Sequence, residues 1–283
     1  SIDRTKDIIY LLDEATDEIL KFSLDDYKFL SSIKAVQNGY LTYSMQEIGG
    51  KIYLNRSSVL EKEKYELREI DERNGKQMGK FLKSDDYNNG WNFPLSLEHS
   101  NFYSKNSQSP KYIGLFSNLI MNVTADGVSA AYIVDSRKFV NKEEVLKMQG
   151  IAEGKLEKID FSDIYSQKRI HQISRFIESP SKVFFQYLEG DERNYLVYDK
   201  ASGKTKTSSL FMDDYVSDKN MIPMDFCYSD ERGVVALLKP CFMPHFIKYI
   251  IDGGKMRTHL DNYSRLIKLN KDSNPVLFFH EYK

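Results

Sequence analysis

The stretch SDDYNNGWNFPLSLEHSNFYSKN, residues 84–106, holds the only tryptophan of the chain, Trp91, in an Asn- and Gly-rich setting. Asn92, Phe93, His99 and Tyr103 follow it. An aromatic platform beside amide and carboxylate side chains is a common way to hold a sugar ring, its apolar face on the aromatic ring and its hydroxyls on the amides. Trp91, Asn92, Phe93, His99 and Tyr103 are therefore the candidate ligand-binding residues. The plainer alternative is that Trp91 caps the hydrophobic core.

Other chemistries have weaker signatures. SGKT at Ser202 to Thr205 resembles the end of a phosphate-binding loop, but the first glycine such a loop needs falls at Tyr198, and the context reads strand, turn, strand. A glycine-containing hairpin corner explains every residue there. The five histidines, His99, His171, His245, His259 and His280, include no pair at i, i+4 and no His-Glu-x-x-His, so no metal site is expected. They read as packed or rim histidines. No G-x-S-x-G elbow occurs, which excludes an α/β-hydrolase nucleophile. Asp135, Asp160, Glu178 and Asp225 are candidates for a carboxylate set acting on a glycosidic bond. That chemistry would need two of them about 5–10 Å apart across one funnel. The Asp-Asp pairs beginning at Asp25, Asp85 and Asp213 fit solvated turns. No cofactor is expected.

Those residues need a frame. The 283 residues are 41% hydrophobic, enough for a substantial core, and 40 basic residues against 41 acidic ones leave a formal charge of −1. No global field would then recruit nucleic acid or an anionic membrane. Aromatic residues make up 13%, with 19 Tyr and 17 Phe, which favours strands. Cys227 and Cys241 match no redox or zinc spacing and read as ordinary thiols, with one disulfide as the alternative. No apolar run reaches the ~18–20 residues of a membrane helix, and SIDRTKDIIY has no signal-peptide core. The chain as given is expected to be soluble, with an upstream segment processed away or left out.

The stretch IIYLLDEATDEILKFSLDDYKFLSSI, Ile8 to Ile33, can be read as one amphipathic helix or as strands separated by polar corners. Recurrence favours strands. A second copy runs from GGKIYL through YELREIDERNGK to Met78–Leu82, and a third from KVFFQYLEGDER through YLVYDKASGK towards Leu210. In each, the middle strand ends in an acid-led corner: LDDYK, IDERNGK, YDKASGK. Weaker copies start at Ser117 and Met224, giving five recognisable blocks and a period that marks a propeller. Between them, NKEEVLKMQG has Asn141 as N-cap, Glu144 three residues on and Gly150 as stop. MPHFIKYIIDGG places Met243, Phe246, Ile247, Ile250 and Ile251 on one helical face, stopped at Gly253. The last run, NPVLFFHEYK, is a strand that could close a ring against strands from the other end of the chain.

IIYLLDEATDEILKFSLDDYKFL and KDSNPVLFFHEYK together resemble the six-bladed β-propeller proteins abundant in Bacteroidetes, which are NHL- or TolB-like. Family members usually run longer at the N-terminus, and a Gly-Gly-Pro-aromatic lead-in seen in many of them stands here as SDKNMIPMDF. The resemblance implies an exported protein of the periplasm or outer-membrane surface, with a lipid anchor upstream as in many members.

These readings converge on an all-β chain forming a single β-propeller domain over residues 1–283, of the six-bladed type with about five blades recognisable and short helical insertions. The expected function is non-catalytic binding of a glycan, peptide or protein at rim loops or an axial funnel. The alternative is a carbohydrate-active hydrolase or lyase using funnel carboxylates. A third reading is an interaction module working through helices at 141–149 and 244–252, with Phe246 and Ile250 buried only in a complex.

Overall fold

The computed structural model of the chain describes residues 1–13, 15–16, 18–34, 40–58, 64–91, 102–103, 109–149, 160–209, 216–217, 225–229 and 232–281. Among them, five antiparallel sheets follow one another along the chain. The first comprises β1 (Ile2–Asp3), β2 (Ile8–Asp13), β3 (Glu18–Ser23) and β4 (Phe29–Lys34). The second comprises β5 (Tyr40–Ile48), β6 (Lys51–Ser58), β7 (Tyr65–Asp71) and β8 (Gln77–Lys83), and the helical turn α1 (Ser84–Tyr87) follows it. The third holds β9 (Phe102–Tyr103), β10 (Lys111–Tyr112), β11 (Leu119–Thr124) and β12 (Gly127–Ile133). Two helices, α2 (Lys142–Met148) and α3 (Ser162–Ser166), precede the fourth sheet of β13 (Ile170–Glu178), β14 (Lys182–Glu189), β15 (Glu192–Asp199) and β16 (Lys204–Ser208). The fifth has three strands, β17 (Asp225–Ser229), β18 (Gly233–Leu238) and β19 (Val276–Glu281). Between β18 and β19 lie α4 (Met243–Phe246), continued as a π-helix over Ile247–Ile251, and α5 (Tyr263–Leu266). In every sheet neighbours in sequence are neighbours in space. The chain is thus an all-β protein of five propeller blades with a few short helices.

Two compact units are present, Ser1–Phe176 with Gln186–Arg193, and Ile177–Phe185 with Asn194–Lys283. In the first, β6 shows why the sheets stack. Its run Ile52-Tyr53-Leu54 is fully buried, and successive side chains point to opposite faces. Ile52 and Leu54 pack with Tyr10, Ile19 and Ile33 of the first sheet, whereas Tyr53 packs with Tyr112, Met121 and Val123 of the third. A strand covered on both sides loses the polar alternation of a half-solvated one. In the second unit, Ala236, Leu238 and Phe278 of the fifth sheet pack on Met243, Phe246 and Ile250.

Ile8 to Ile33 is strands, with β2 paired to β3 from Ile8↔Ser23 to Asp13↔Glu18. The acid-led corners share one geometry: the Gly75 amide donates to the Asp71 carbonyl at 2.9 Å, and the Gly203 amide donates to the Asp199 carbonyl at 2.9 Å. Gly75 and Gly203 have φ of 71° and 66°, a left-handed conformation that glycine adopts without strain. SGKT is therefore a hairpin corner leading into β16. The capping box at Asn141 is formed: its side chain accepts from the Glu144 amide at 3.0 Å, and the Glu144 carboxylate accepts from the Asn141 amide at 2.8 Å.

Three expectations are corrected. Among the described residues five blades stand where the six-bladed type was expected; five repeats are visible in the sequence, and the sixth reads as degenerate or as lying before residue 1. The terminal strand β19 pairs with β18 in the fifth sheet, and β1 pairs with β2 in the first, so the chain ends share no sheet among the described residues. Phe246 and Ile250 are fully buried against the fifth sheet within the chain itself, so they are not held in reserve for a complex.

Candidate functional site

Three hairpin turns meet around a cleft of about 650 Å3 in the first unit. The β1–β2 turn supplies Asp3, Arg4, Thr5 and Lys6; the β5–β6 turn, Gln46, Glu47, Ile48 and Gly49; the β11–β12 turn, Thr124, Ala125 and Asp126. Each turn has a local cause. Asp3 Oδ1 accepts from the Thr5 amide at 2.9 Å and the Thr5 hydroxyl at 2.7 Å, an Asx-type turn. Gly49 and Gly50 have φ of 60° and 85°, as the type I′ turn between paired Ile48 and Lys51 requires. A Cβ on Gly49 would stand 2.9 Å from the Ala125 Cβ, so glycine also lets the second and third turns approach. Beneath them Tyr53 donates its hydroxyl to Glu69 and to the Thr124 carbonyl, both at 2.9 Å, which the fully buried phenol can do only if the turns stay together.

Asp3, Lys6 and Glu47 of the cleft lining belong to a charged network that continues behind it. Lys6 reaches Asp3 at 3.3 Å and Glu47 at 3.6 Å, and it bonds Glu72, which comes from the IDERNGK corner. Lys21 on β3 lies 3.7 Å from the Glu72 carboxylate and donates to the Glu72 carbonyl at 2.8 Å. The Glu47 carboxylate also accepts from the Gly50 amide at 2.8 Å. Burial pushes the Glu47 carboxyl above its ordinary range against that hydrogen bond. Burial acts upward on Asp3 too, but the Thr5 hydroxyl and amide and Lys6 outweigh it and hold Asp3 low. Tyr10, fully buried, faces Glu72, Glu47 and Asp3; burial and then these carboxylates push its phenol upward. Its hydroxyl completes no hydrogen bond of ordinary length and angle.

A second polar cluster joins the second and third sheets. Glu66 at the start of β7 accepts from the Tyr112 hydroxyl at 2.9 Å and the Asn88 amide at 2.9 Å, and Asn55 bonds Tyr112. Glu66 is only partly buried as a residue, but its carboxyl end is enclosed. Burial raises it to about 7 against those hydrogen bonds.

Of the five candidate ligand-binding residues, Trp91 and Tyr103 are described. Trp91 is 3% exposed and meets Phe116 edge-on at 4.9 Å, in a cluster with Val140, Val145 and Met148. Its indole is core, as in the plainer alternative. Tyr103 lies on β9, partly buried. Asn92, Phe93 and His99 lie outside the described residues.

Two of the candidate acids have partners within their own part of the chain. Asp160 accepts from the Ser162 amide at 2.8 Å before α3, and Glu178 pairs with Lys200 at 2.7 Å. Asp135 is exposed after β12, and Asp225 opens β17. His171 is buried among Phe116, Phe161 and Tyr165, which lowers its basicity. Cys227 and Cys241 form no disulfide and are exposed, and the Cys227 thiol donates to the Val235 carbonyl. Asp3 and Lys6, Glu47, and the neighbouring Glu72 escape sequence reading because they come from three separate hairpins. The local signals were the turn residues themselves, DRTK, GG and DER, which announce hairpin tips and nothing about their meeting.

Blades of antiparallel strands that follow one another along the chain define a β-propeller protein. The chain belongs to the DUF4934 family, a domain of unknown function whose model matches residues 1–281. A crystal structure of a "putative exported protein" from Bacteroides fragilis is similar to it, at 16% identity and a TM-score of 0.72, covering 100% of this chain and 76% of that one. At that identity the likeness bears on the fold alone. No curated protein matches. Among the described residues no helix is long and apolar enough to cross a membrane.

Proposed function

We propose that this chain is a non-catalytic ligand-binding propeller, exported to the periplasm or outer-membrane surface, and that the cleft between the three hairpin turns is its binding site. The observation that carries this is the convergence of Asp3–Lys6, Gln46–Gly49 and Thr124–Asp126 on one polar cleft whose side chains are already fixed by hydrogen bonds and ion pairs. Preorganised polar groups on rigid strands lower the entropic cost of holding a ligand. A glycan, peptide or protein segment fits such a site, and the loop from Asn92 to Tyr103 is a second place of contact in the same reading. Export follows the description of the Bacteroides fragilis neighbour, and kinship with NHL- and TolB-like propellers belongs to the same reading.

The alternative, a hydrolase or lyase, draws on the carboxylates that line the cleft, Asp3, Glu47 and Asp126. Thermal unfolding of the chain against plant and host polysaccharide fragments, with product analysis of each hit, separates the two. A ligand that binds only the folded chain raises the melting temperature by mass action. A shift without cleavage that disappears in Asp126→Trp, an exposed position on the cleft rim, supports binding here. Cleavage replaces the proposal with the enzyme, and a shift retained in Asp126→Trp moves the site elsewhere.

A further inference from the structure

The insertion between β18 and β19 is charged unlike the rest of the chain. From Lys239 to Pro275 it holds seven lysines and arginines against three aspartates, in a chain whose formal total is −1. Lys248, Arg265, Lys268 and Lys271 are exposed, and none of the four forms an ion pair among the described residues. A local positive field of this kind draws anions to the surface that carries it. The inner side of the insertion is taken by packing. Met243, Phe246 and Ile250 are fully buried on the fifth sheet, and Tyr263, Leu266 and Leu269 pack against the same cluster. The basic side chains are what the helices leave outside.

The outer side of α4 also carries rings. Phe242 is 38% exposed and Tyr249 46% exposed, with exposed His245 between them at spacings of three and four residues, so the three follow one side of the helical run. The His245 and Tyr249 ring centroids are 4.5 Å apart, and Lys248 Nζ lies 5.1 Å from the Tyr249 centroid, a cation–π contact. Tyr249 thus holds an imidazole and an ammonium beside its own exposed ring before any ligand arrives. Lys248 and Tyr249 belong to the π-helix Ile247–Ile251, where the Asp252 amide donates to the Ile247 carbonyl at 2.9 Å. Turns of that kind are rare and occur mostly at functional sites.

Exposed rings beside a positioned cation suit a sugar that carries an acid: its apolar face lies on an aromatic ring and its carboxylate or sulfate meets the ammonium. A bilayer suits the surface less, because an interfacial helix sinks an apolar face into lipid, and the apolar face of α4 is already packed on the fifth sheet. We infer that the outer side of α4, from Phe242 to Tyr249, docks an acidic polysaccharide, with Lys248 and Tyr249 as its contacts and Arg265 and Lys268 adding to the attracting field. This surface belongs to the second unit and does not depend on the cleft of the first being a binding site.

The test is calorimetric titration of the full chain with the hexamer of galacturonic acid, its uncharged methyl ester and a chondroitin sulfate hexasaccharide, alongside vesicles of phosphatidylglycerol. The galacturonate should bind at least about tenfold more tightly than its ester, a difference of roughly 1.4 kcal/mol, and should weaken as salt is raised. Lys248→Gln and Tyr249→Ala should each weaken it several-fold while the melting temperature stays near that of the parent, and Asp126→Trp at the cleft should leave it unchanged. Chondroitin sulfate binding alone, through Lys248 and Tyr249, keeps the surface and makes sulfate its anion. Ester binding as tightly as the acid, binding indifferent to Lys248→Gln, or vesicles captured while neither acidic sugar binds would overturn the inference. Loss of galacturonate binding in Asp126→Trp would overturn it as well and place the acidic sugar in the cleft. If Tyr249→Ala does not fold, Lys248→Gln decides.

Discussion

The Tyr112 hydroxyl, on the third sheet, donates at 2.9 Å to the carboxyl of Glu66, on the second. With Asn88 and Asn55 it surrounds an acid that burial raises to about 7 from an ordinary 4.5. A carboxyl raised in the folded chain binds its proton more tightly than in the unfolded chain. Its stabilising contribution is complete below about 4.5 and is lost as pH rises through about 7. Melting temperature should therefore decline from pH 5 to pH 8, and Glu66→Gln, which keeps the shape, with its amide oxygen placed to accept from Asn88 and its NH2 to donate to the Tyr112 hydroxyl, should flatten that decline and melt higher than the parent at pH 8. An unchanged slope in the variant would remove Glu66 as its cause.

Trp91→Ala removes a ring that is 3% exposed and packed on Phe116. Truncating a buried aromatic costs about 3–5 kcal/mol, so urea unfolding should show a loss of that size. A near-neutral substitution would return Trp91 to the surface role first suggested by its loop.

Asn141→Ala deletes the acceptor of the Glu144 amide and half of the capping box on α2. The expected loss is about 1 kcal/mol, measurable by denaturant unfolding. Glu144→Ala should cost more than its share of the box, because the Glu144 carboxylate also pairs with Arg169 at 2.9 Å.

Gly233 opens β18 opposite Glu281 of β19, and a Cβ there would lie 2.2 Å from the His280 carbonyl oxygen. Gly233→Ala must push the two strands apart and should cost about 1–3 kcal/mol by overpacking. Amide exchange should speed up across Val276–Glu281 before it does elsewhere.

The strands that sequence made legible are those with turn chemistry at their ends. Asp71 and Asp199 announce their corners because an acid followed by glycine four residues later closes a turn by local hydrogen bonds alone. The first strands of the second and fourth sheets, β5 and β13, carried no such signal. Gln46 and Glu47 on β5, and His171, Gln172 and Ser174 on β13, are polar yet buried, so neither strand alternates visibly. Their partners are distant in sequence, as where Gln186 donates to Ser174 at 3.3 Å. Helix α2 was readable because its capping box is a matter of four consecutive positions, Asn141 to Glu144. The π-helix after α4 was not, since its apolar spacing is that of an ordinary helix. The charged cleft was invisible for the same reason as the buried polar strands: Asp3, Glu47 and Glu72 acquire a common chemistry only through the stacking of Ile19 and Ile33 on Ile52 and Ile70.

A cleft whose chemistry sits on hairpin tips has an evolutionary consequence. The strands under Asp3, Gly49 and Asp126 are held by their own ladders and by apolar faces that none of these residues enters. Tips can be replaced one at a time by drift or recombination while the scaffold goes on folding. Descendants of one ancestral chain can therefore diverge in the chemistry of this cleft long before their sheets diverge, and inheritance of this fold foretells less about that chemistry than the wording of three short turns.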